Sequence, residues 1–231
     1  MAEIVFDNAG EKFYYTGIEK VTLGIGNIAV DGTANDITGV VAWNGVTNVS
    51  DSPSGAEPTD LYADNIKWMT MLSNEEQSST IEAYMYPDEW EQCNGYTSLG
   101  NGVKIGQQRR KKFSYTYQTK KVDDDGNEHE ILHIMYNGLA SPSEEADNTI
   151  NDSPEATTFS WEISHTPVKP DSDKPYSAGL APFCNIEIDL TALEASSGGV
   201  AKRAAVEALV YGSASVNAKI PSLASLYTAI A

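Results

Sequence analysis

Long runs in which apolar and polar residues alternate with a period of two commit most of this chain to β-strands with one face turned to a core. Phe159, Trp161 and Ile163 point one way, and Ser160, Glu162 and Ser164 the other. In Lys112 to Thr119, Phe113, Tyr115 and Tyr117 alternate with Ser114, Thr116 and Gln118; Ile186, Ile188 and Leu190 alternate with Glu187 and Asp189. The pattern predicts half-solvated antiparallel strands. Further strands are expected over Thr80 to Tyr86 and Glu130 to Tyr136. The turn Asp123-Asp124-Asp125-Gly126-Asn127 holds Asp-Gly, both tolerant of positive φ, so a long hairpin is predicted near 111–137.

Helical signals are confined. Pro87 to Gln92 carries a first-turn proline and acids suited to the positive end of a helix dipole. Val200 to Tyr211 places Ala205, Val206, Leu209 and Val210 on one face and stops at Gly212. Pro221 to Ile230 has Leu223, Leu226, Tyr227 and Ile230 at helical spacing, for a docking helix or a loose tail. Loops are expected at Asn48 to Asp60, Ala140 to Glu155 and Pro167 to Ser177. The first third, with Gly24, Gly26, Gly32 and Gly39 among β-branched residues, reads as an irregular arm or bulged hairpin. At 231 residues the expectation is one mainly β domain over 1–231, with an N-terminal arm or strands over 1–45, a β core over 46–190 and a helical segment over 191–231.

Thirty-three acidic against 15 basic residues give a formal net charge of −18, which opposes binding to nucleic-acid phosphates or anionic membranes. Forty-one per cent hydrophobic residues, with 12 tyrosines and 4 tryptophans, argue for a folded chain. Cys93 and Cys184 match no metal or redox spacing and are expected to be reduced. The start, Met-Ala-Glu-Ile-Val-Phe-Asp, lacks the basic and apolar regions of a secretory signal, and no run approaches the roughly 20 apolar residues of a membrane span. A protein made and held in the cytoplasm is expected.

Motifs that could carry chemistry are weak. Gly24-Ile25-Gly26-Asn27-Ile28-Ala29 fits a dinucleotide pattern, but a turn at Val30 to Thr33 stands where the helix should open. Asp123, Asp125 and Asn127 have calcium-loop spacing, yet Glu128 and Ile134 occupy the glycine and glutamate positions, so a solvated hairpin tip is favoured. His129 and His133 would sit about 13 Å apart on a strand, too far to chelate one ion. No Gly-x-Ser-x-Gly elbow marks a nucleophile. Acid pairs such as Glu75-Glu76 and Glu144-Glu145 read as solvated, and the sequons at Asn48 and Asn151 are expected to be silent. No enzymatic activity, cofactor or metal is expected. The basic cluster Arg109-Arg110-Lys111-Lys112 suits either a patch for acidic loops of a neighbouring copy or a solvated face.

The block Ser52 to Asp88, the stretch Thr149 to Trp161, Gly106-Gln107-Gln108 and Ala208 to Gly212 together resemble segments of the major tail tube proteins of bacteriophages with long non-contractile tails. The resemblance implies a β-sandwich or half-barrel of the tail-tube type with one flanking helix and extended loops and arms. Six copies would close a ring, and stacked rings would form a tube that carries genomic DNA without binding it specifically. Implied partners are the chain itself and the tape-measure, tail-terminator and tail-tip proteins; the implied location is the virion tail, assembled in the host cytoplasm.

Glu57, Pro58, Tyr62, Ala63, Asp64, Asn65 and Ile66 stand where the family's Ala-Glu-Pro and Leu-Tyr-Ala-Asp-Asn wording occurs, and Tyr86, Pro87, Asp88 and Glu89 where its Tyr-Pro-Asp-Glu wording occurs. These positions, with Trp68 and the basic cluster, are the expected subunit junction, Tyr62 and Trp68 being apolar anchors or, for Tyr62, core. Trp161 is expected in the core. Ser196 to Gly199 and the last twenty residues depart from the pattern. The competing reading is a monomeric β-sandwich adhesin or carbohydrate-binding module with Phe113, Tyr115 and Tyr117 as a sugar platform.

Overall fold

A computed structural model describes residues 12–29, 35–146, 149, 156–170, 174, 176–177 and 179–231. The Val30 to Thr33 turn, Asn151 and the first eleven residues lie outside them. In chain order the elements are β1 (Phe13–Ile25), β2 (Ile37–Thr38), β3 (Val41–Ala42), β4 (Val46–Asp51), β5 (Ser54–Gly55), β6 (Pro58–Ala63), β7 (Ile66–Leu72), β8 (Glu75–Glu76), β9 (Ser78–Ala83), a 3-10 turn (Asp88–Gln92), β10 (Thr97–Gly100) and β11 (Val103–Ile105). They continue as β12 (Phe113–Asp123), β13 (Glu128–Ala140), β14 (Phe159–His165), β15 (Asn185–Asp189), α1 (Leu190–Ala195), α2 (Gly199–Tyr211), β16 (Lys219–Ile220) and α3 (Leu223–Ile230). The chain is mainly β, as its alternation predicts.

An eight-stranded antiparallel sheet runs β3-β1-β12-β13-β14-β9-β4, with β15 also on β13. β3 and β4 lie at opposite ends of that order yet are joined by Trp43 to Gly45, so one short segment draws the two ends of the sheet together. At the corner the Trp43 amide donates to the Val21 carbonyl, its indole to the Met85 carbonyl at 2.9 Å, and the Tyr84 amide to the Gly45 carbonyl. Gly45 adopts φ 77°, and a Cβ there would lie 2.8 Å from Met85 Cγ. The result is the expected half-barrel. Its interior holds Trp43, Trp90 and Trp161 in mutual ring contact, with Leu23, Ile81, Phe113, Tyr115 and Ile163.

A second core covers the outer face of β13. Leu132, Ile134 and Tyr136 project there and are roofed by Leu190, Val206, Val210, Ile220 and Leu226 from the helices and β16. Helix α2 stops at Gly212, as predicted, where φ is 82°, and α3 docks through the buried Leu226. Asp36 anchors α3, accepting from Lys219 Nζ, the Ser222 amide and Ser225 Oγ. Burial pushes its carboxyl up, but those hydrogen bonds bring it below its ordinary value. Arg203 staples α1, α2 and β13 by pairing with Glu130, Glu194 and Glu207.

Strand β13 changes partner midway: Ile131 to Met135 pair with β15, and Gly138 to Ala140 with β14. The switch coincides with a bulge against β12, where Phe113 opposes Gly138 but Tyr115 opposes Met135. Asn137 sits at the bulge, fully buried, with φ 51°. Its Oδ1 accepts the Ile28 amide at 2.8 Å and its Nδ2 donates to the Ile28 carbonyl at 3.0 Å. The side chain thus serves Ile28 as a strand neighbour's backbone would.

Within the first 45 residues β1 is a 13-residue strand paired with β12 along its length, and Gly17 and Lys20, at φ 68° and 52°, sit at its two bulges. The expected loop at Asn48 to Asp60 is mostly strand. Gly24 lies within β1, and Asn27 to Ala29 beyond it are not helical, Ile28 being held by Asn137.

Asn137→Ala leaves buried Ile28 groups unpaired in a left-handed site and should destabilise the fold by about 3 kcal/mol in urea denaturation. Asn137→Gly, which tolerates the dihedral, should recover about 1 kcal/mol of that loss.

Candidate assembly surface

β4 and β9 do not stop at the edge of the sheet. Their pairing, Asp51 opposite Ser79, continues through β5 and β8, Ser54 opposite Glu76, into β6 and β7, Pro58 opposite Leu72 to Ala63 opposite Ile66. The segment 52–77 is therefore one two-stranded ribbon, and its residues are almost all exposed. Twelve residues from Ser52 to Ala63 at ~3.3 Å each give a contour of roughly 40 Å. Asp64 and Asn65 form its two-residue tip, at φ 53° and 62°, the left-handed pair that a tight hairpin turn requires. Gly55 is needed in the stem, because a Cβ there would fall 2.3 Å from the Asn74 carbonyl.

The ribbon is apolar on both faces. Leu61, Met69 and Met71 share one side, and Pro58 and Leu72 share the other with the polar pair Asp60 and Thr70. Trp68 is the extra residue of a bulge between Leu61 and Tyr62 and is 66% exposed; Tyr62 is 71% and Leu72 70% exposed. Asp60 accepts from Lys67 at 2.7 Å and from Thr70, which hold its carboxyl below the ordinary range. Glu57 lies in the stem, its amide donating to Ser73 Oγ. Tyr62 and Trp68 are thus surface groups, and Trp161 is core, fully buried.

A second exposed hairpin, β10–β11, presents Leu99, Val103 and Ile105 around a tip at Asn101 and Gly102 with φ 51° and 78°. Asn-Gly between apolar residues is the local signal of this hairpin. Two strand edges are also open among the described residues. β4 pairs only with β9, and β1 meets β3 only at Thr22 and Leu23, leaving the outer side of Phe13 to Lys20 without a strand. Phe13, Tyr14 and Tyr15 on that edge are all more than half exposed.

The basic cluster does not behave as one patch. Arg110 donates to the carbonyls of Ala140 and Ser141, which the end of β13 leaves without sheet partners, and to Asn94. Lys111 donates to Gln92 and Lys112 to Thr166 at 2.9 Å, while Arg109 is exposed. Three of the four cations thus brace the chain internally. Pro87 precedes the 3-10 turn that buries Trp90, its carbonyl accepting the Trp90 amide, and Asp88 is exposed beside it. The structure therefore brings Glu57, Tyr62, Asp64, Asn65 and Trp68 together on the ribbon, and separates them in sequence and element from Pro87, Asp88 and the basic cluster.

The chemical motifs resolve into turns and packing. Asp123 accepts the amides of Asp125 and Asn127 and the Asn127 side chain, so its carboxylate closes the hairpin turn. His133 stacks on Tyr117 at 4.5 Å and meets Thr119. Phe113, Tyr115 and Tyr117 are buried in the half-barrel, which overturns their reading as a sugar platform. Both cysteines are buried and unbridged, and burial pushes the Cys93 thiol up to about 12. Among the described residues, no helix is long and apolar enough to cross a membrane.

No family model matches the sequence, and no curated protein matches it. Among solved structures, a chain of the extended sheath–tube complex of an extracellular contractile injection system (PVC) is similar at a TM-score of 0.28 and 12% identity, over 74% of this chain and 88% of that one. Neither fold nor function transfers at that similarity.

Because Trp68 touches solvent and not the core, Trp68→Ser should change the unfolding free energy of the isolated chain by less than about 0.5 kcal/mol. The same change should visibly lower binding of an apolar surface dye such as ANS.

Proposed function

We propose that this chain is a structural subunit of a phage tail tube, joining its own copies head to tail into rings that stack around a DNA passage. The observation that carries the reading is the ribbon. A two-stranded hairpin alone is marginal in water, and one with apolar side chains on both faces gains stability only when other surfaces cover it. Its Glu57 to Ile66 tip is also where the sequence resembles tail tube proteins. The open edge of β4 and the open Phe13 to Lys20 stretch of β1 suit head-to-tail strand pairing, which closes when the rotation divides a circle.

In this reading the edges make the ring, six copies as the resemblance implies, and the ribbon reaches the next ring with Tyr62 and Trp68 as anchors. The tape-measure, tail-terminator and tail-tip proteins would bound the tube in the virion, and the chain performs no catalysis. Six copies at −18 each give a ring a formal charge of about −108, and acids facing the lumen would keep DNA from adhering. A neutral or basic lumen in an experimental map would sink that last point.

Negative-stain microscopy with light scattering at high protein concentration tests the reading: rings or hollow tubes are expected, alone or seeded by a tail-tip complex. Two variants separate the interfaces. The Ser52 amide donates to Ser78, and bonding alternates along an antiparallel pair, so the Val49 amide faces outward and Val49→Pro spares the ladder. Val49→Pro should leave folded monomers, and Trp68→Asp should leave rings that do not stack. A chain that stays monomeric even when seeded, and is retained by polysaccharide, would favour the binding-module reading instead.

A further inference from the structure

His165 closes β14 where the sheet divides, and it is the centre of a hydrogen-bond chain that spans four strands. Its Nδ1 lies 2.8 Å from the Tyr136 carbonyl on β13. A carbonyl only accepts, so Nδ1 carries the hydrogen and, in the neutral ring, Nε2 is a bare lone pair. Ser79 Oγ of β9, 2.8 Å away, must then donate to Nε2. Ser79 in turn accepts from the Tyr115 hydroxyl of β12, also at 2.8 Å. Every direction is fixed: Tyr115 to Ser79, Ser79 to His165, His165 to Tyr136. Ser79 and Tyr115 are buried and His165 nearly so, which leaves little room for water to substitute.

We propose that this chain is a protonation-operated latch on the fork of the sheet, closed by neutral His165 and released when the ring takes up a second proton. The proton arriving from solvent lands on Nε2, which becomes a donor. Ser79 must accept it and turn its own hydrogen toward Tyr115, whose hydroxyl hydrogen then loses its acceptor. A buried imidazolium and a displaced phenol are both unfavourable. The titratable and charged neighbours are few. Tyr115 comes from β12, Asp51 stands opposite Ser79 on β4, Lys112 holds Thr166 next in sequence, and Glu75 shares a cleft with Gln77, whose carbonyl accepts the His165 amide. Asp51 also acts on Tyr115 through its charge. No carboxylate hydrogen-bonds the imidazole among the described residues, so nothing there offsets the charge.

The sign follows. Burial lowers the His165 proton affinity against the Tyr136 hydrogen bond, which raises it, so the folded state binds this proton more weakly than the unfolded chain. The stability it contributes is complete above the unfolded histidine value near ~6.5 and is lost as pH falls through and below it. β4 is paired only with β9, so release at Ser79 reaches the edge strand.

Nitrogen NMR of the full wild-type chain tests the tautomer directly: at pH 7.5, Nδ1 should be protonated and Nε2 bare. Hydrogen exchange, corrected for intrinsic rates, should show protection of the His165 and Thr166 amides falling by roughly tenfold or more from pH 7.5 to 5.0. His165→Gln should remove that pH dependence, and His133→Gln, which removes a half-buried histidine on β13, should keep it. An Nε2-protonated ring at pH 7.5, or unchanged protection at pH 5.0 in the wild type, overturns the latch even if no variant folds.

Discussion

The architecture turns on the bulge at Asn137. A regular β13 would pair with one neighbour along its whole length and give a flat sheet with one core. By taking a left-handed conformation there, the strand bends away from β15 and offers its last residues to β14. One half of β13 then belongs to the outer core under the helices, and the other to the curved wall around the tryptophans. The bend would leave Ile28 without backbone partners, and the asparagine amide supplies both. A residue that tolerates the dihedral and also carries a donor and an acceptor is needed, and asparagine meets all three conditions.

The ribbon shows the opposite economy. Its strands satisfy each other's backbone groups, and its tip turn is well formed, but little holds its side chains. Burying a residue the size of Trp68 or Leu72 is worth about 1.5–3 kcal/mol each, and in the isolated chain that stabilisation is not realised. The core is complete without the ribbon, whereas the ribbon is not complete without another surface. This division between a self-sufficient half-barrel and a dependent projection suits the assembly proposed above.

Much of this was legible in the residues, and the failures have physical causes. The Phe159 to Ile163 alternation, the Asp-Gly hairpin and the Gly212 stop report local conformational preference, which the folded chain keeps. Alternation does not say what covers a face, so Phe113 to Tyr117 and Leu61 to Met71 read alike although the first run is core and the second is bare. Charge clusters mislead similarly: Arg109 to Lys112 look like a surface patch until the unpaired carbonyls of Ala140 and Ser141 come to lie beside Arg110. Glycines in the first third left an irregular arm and a bulged hairpin equally open, because bulges in a paired strand use the same composition as a loose arm. The Asn137-Gly138 pair has the make-up of a turn, and only the register between β12 and β13 shows it to be a bulge.

The joining of distant segments constrains the order in which the molecule can be made. Ile37 pairs with Ile220, and Asp36 holds the start of α3 at Ser222 and Ser225. β1 likewise waits on β12, roughly a hundred residues later. Contacts of such long range form slowly, since the chain between them must be closed first. During synthesis the β4–β9 ribbon is local and can form early, but the outer face of β13 cannot be roofed until the residues near 220 have left the ribosome. A nascent chain would therefore expose its ribbon before its second core is closed, and the fold is completed only once β16 and α3 have been made.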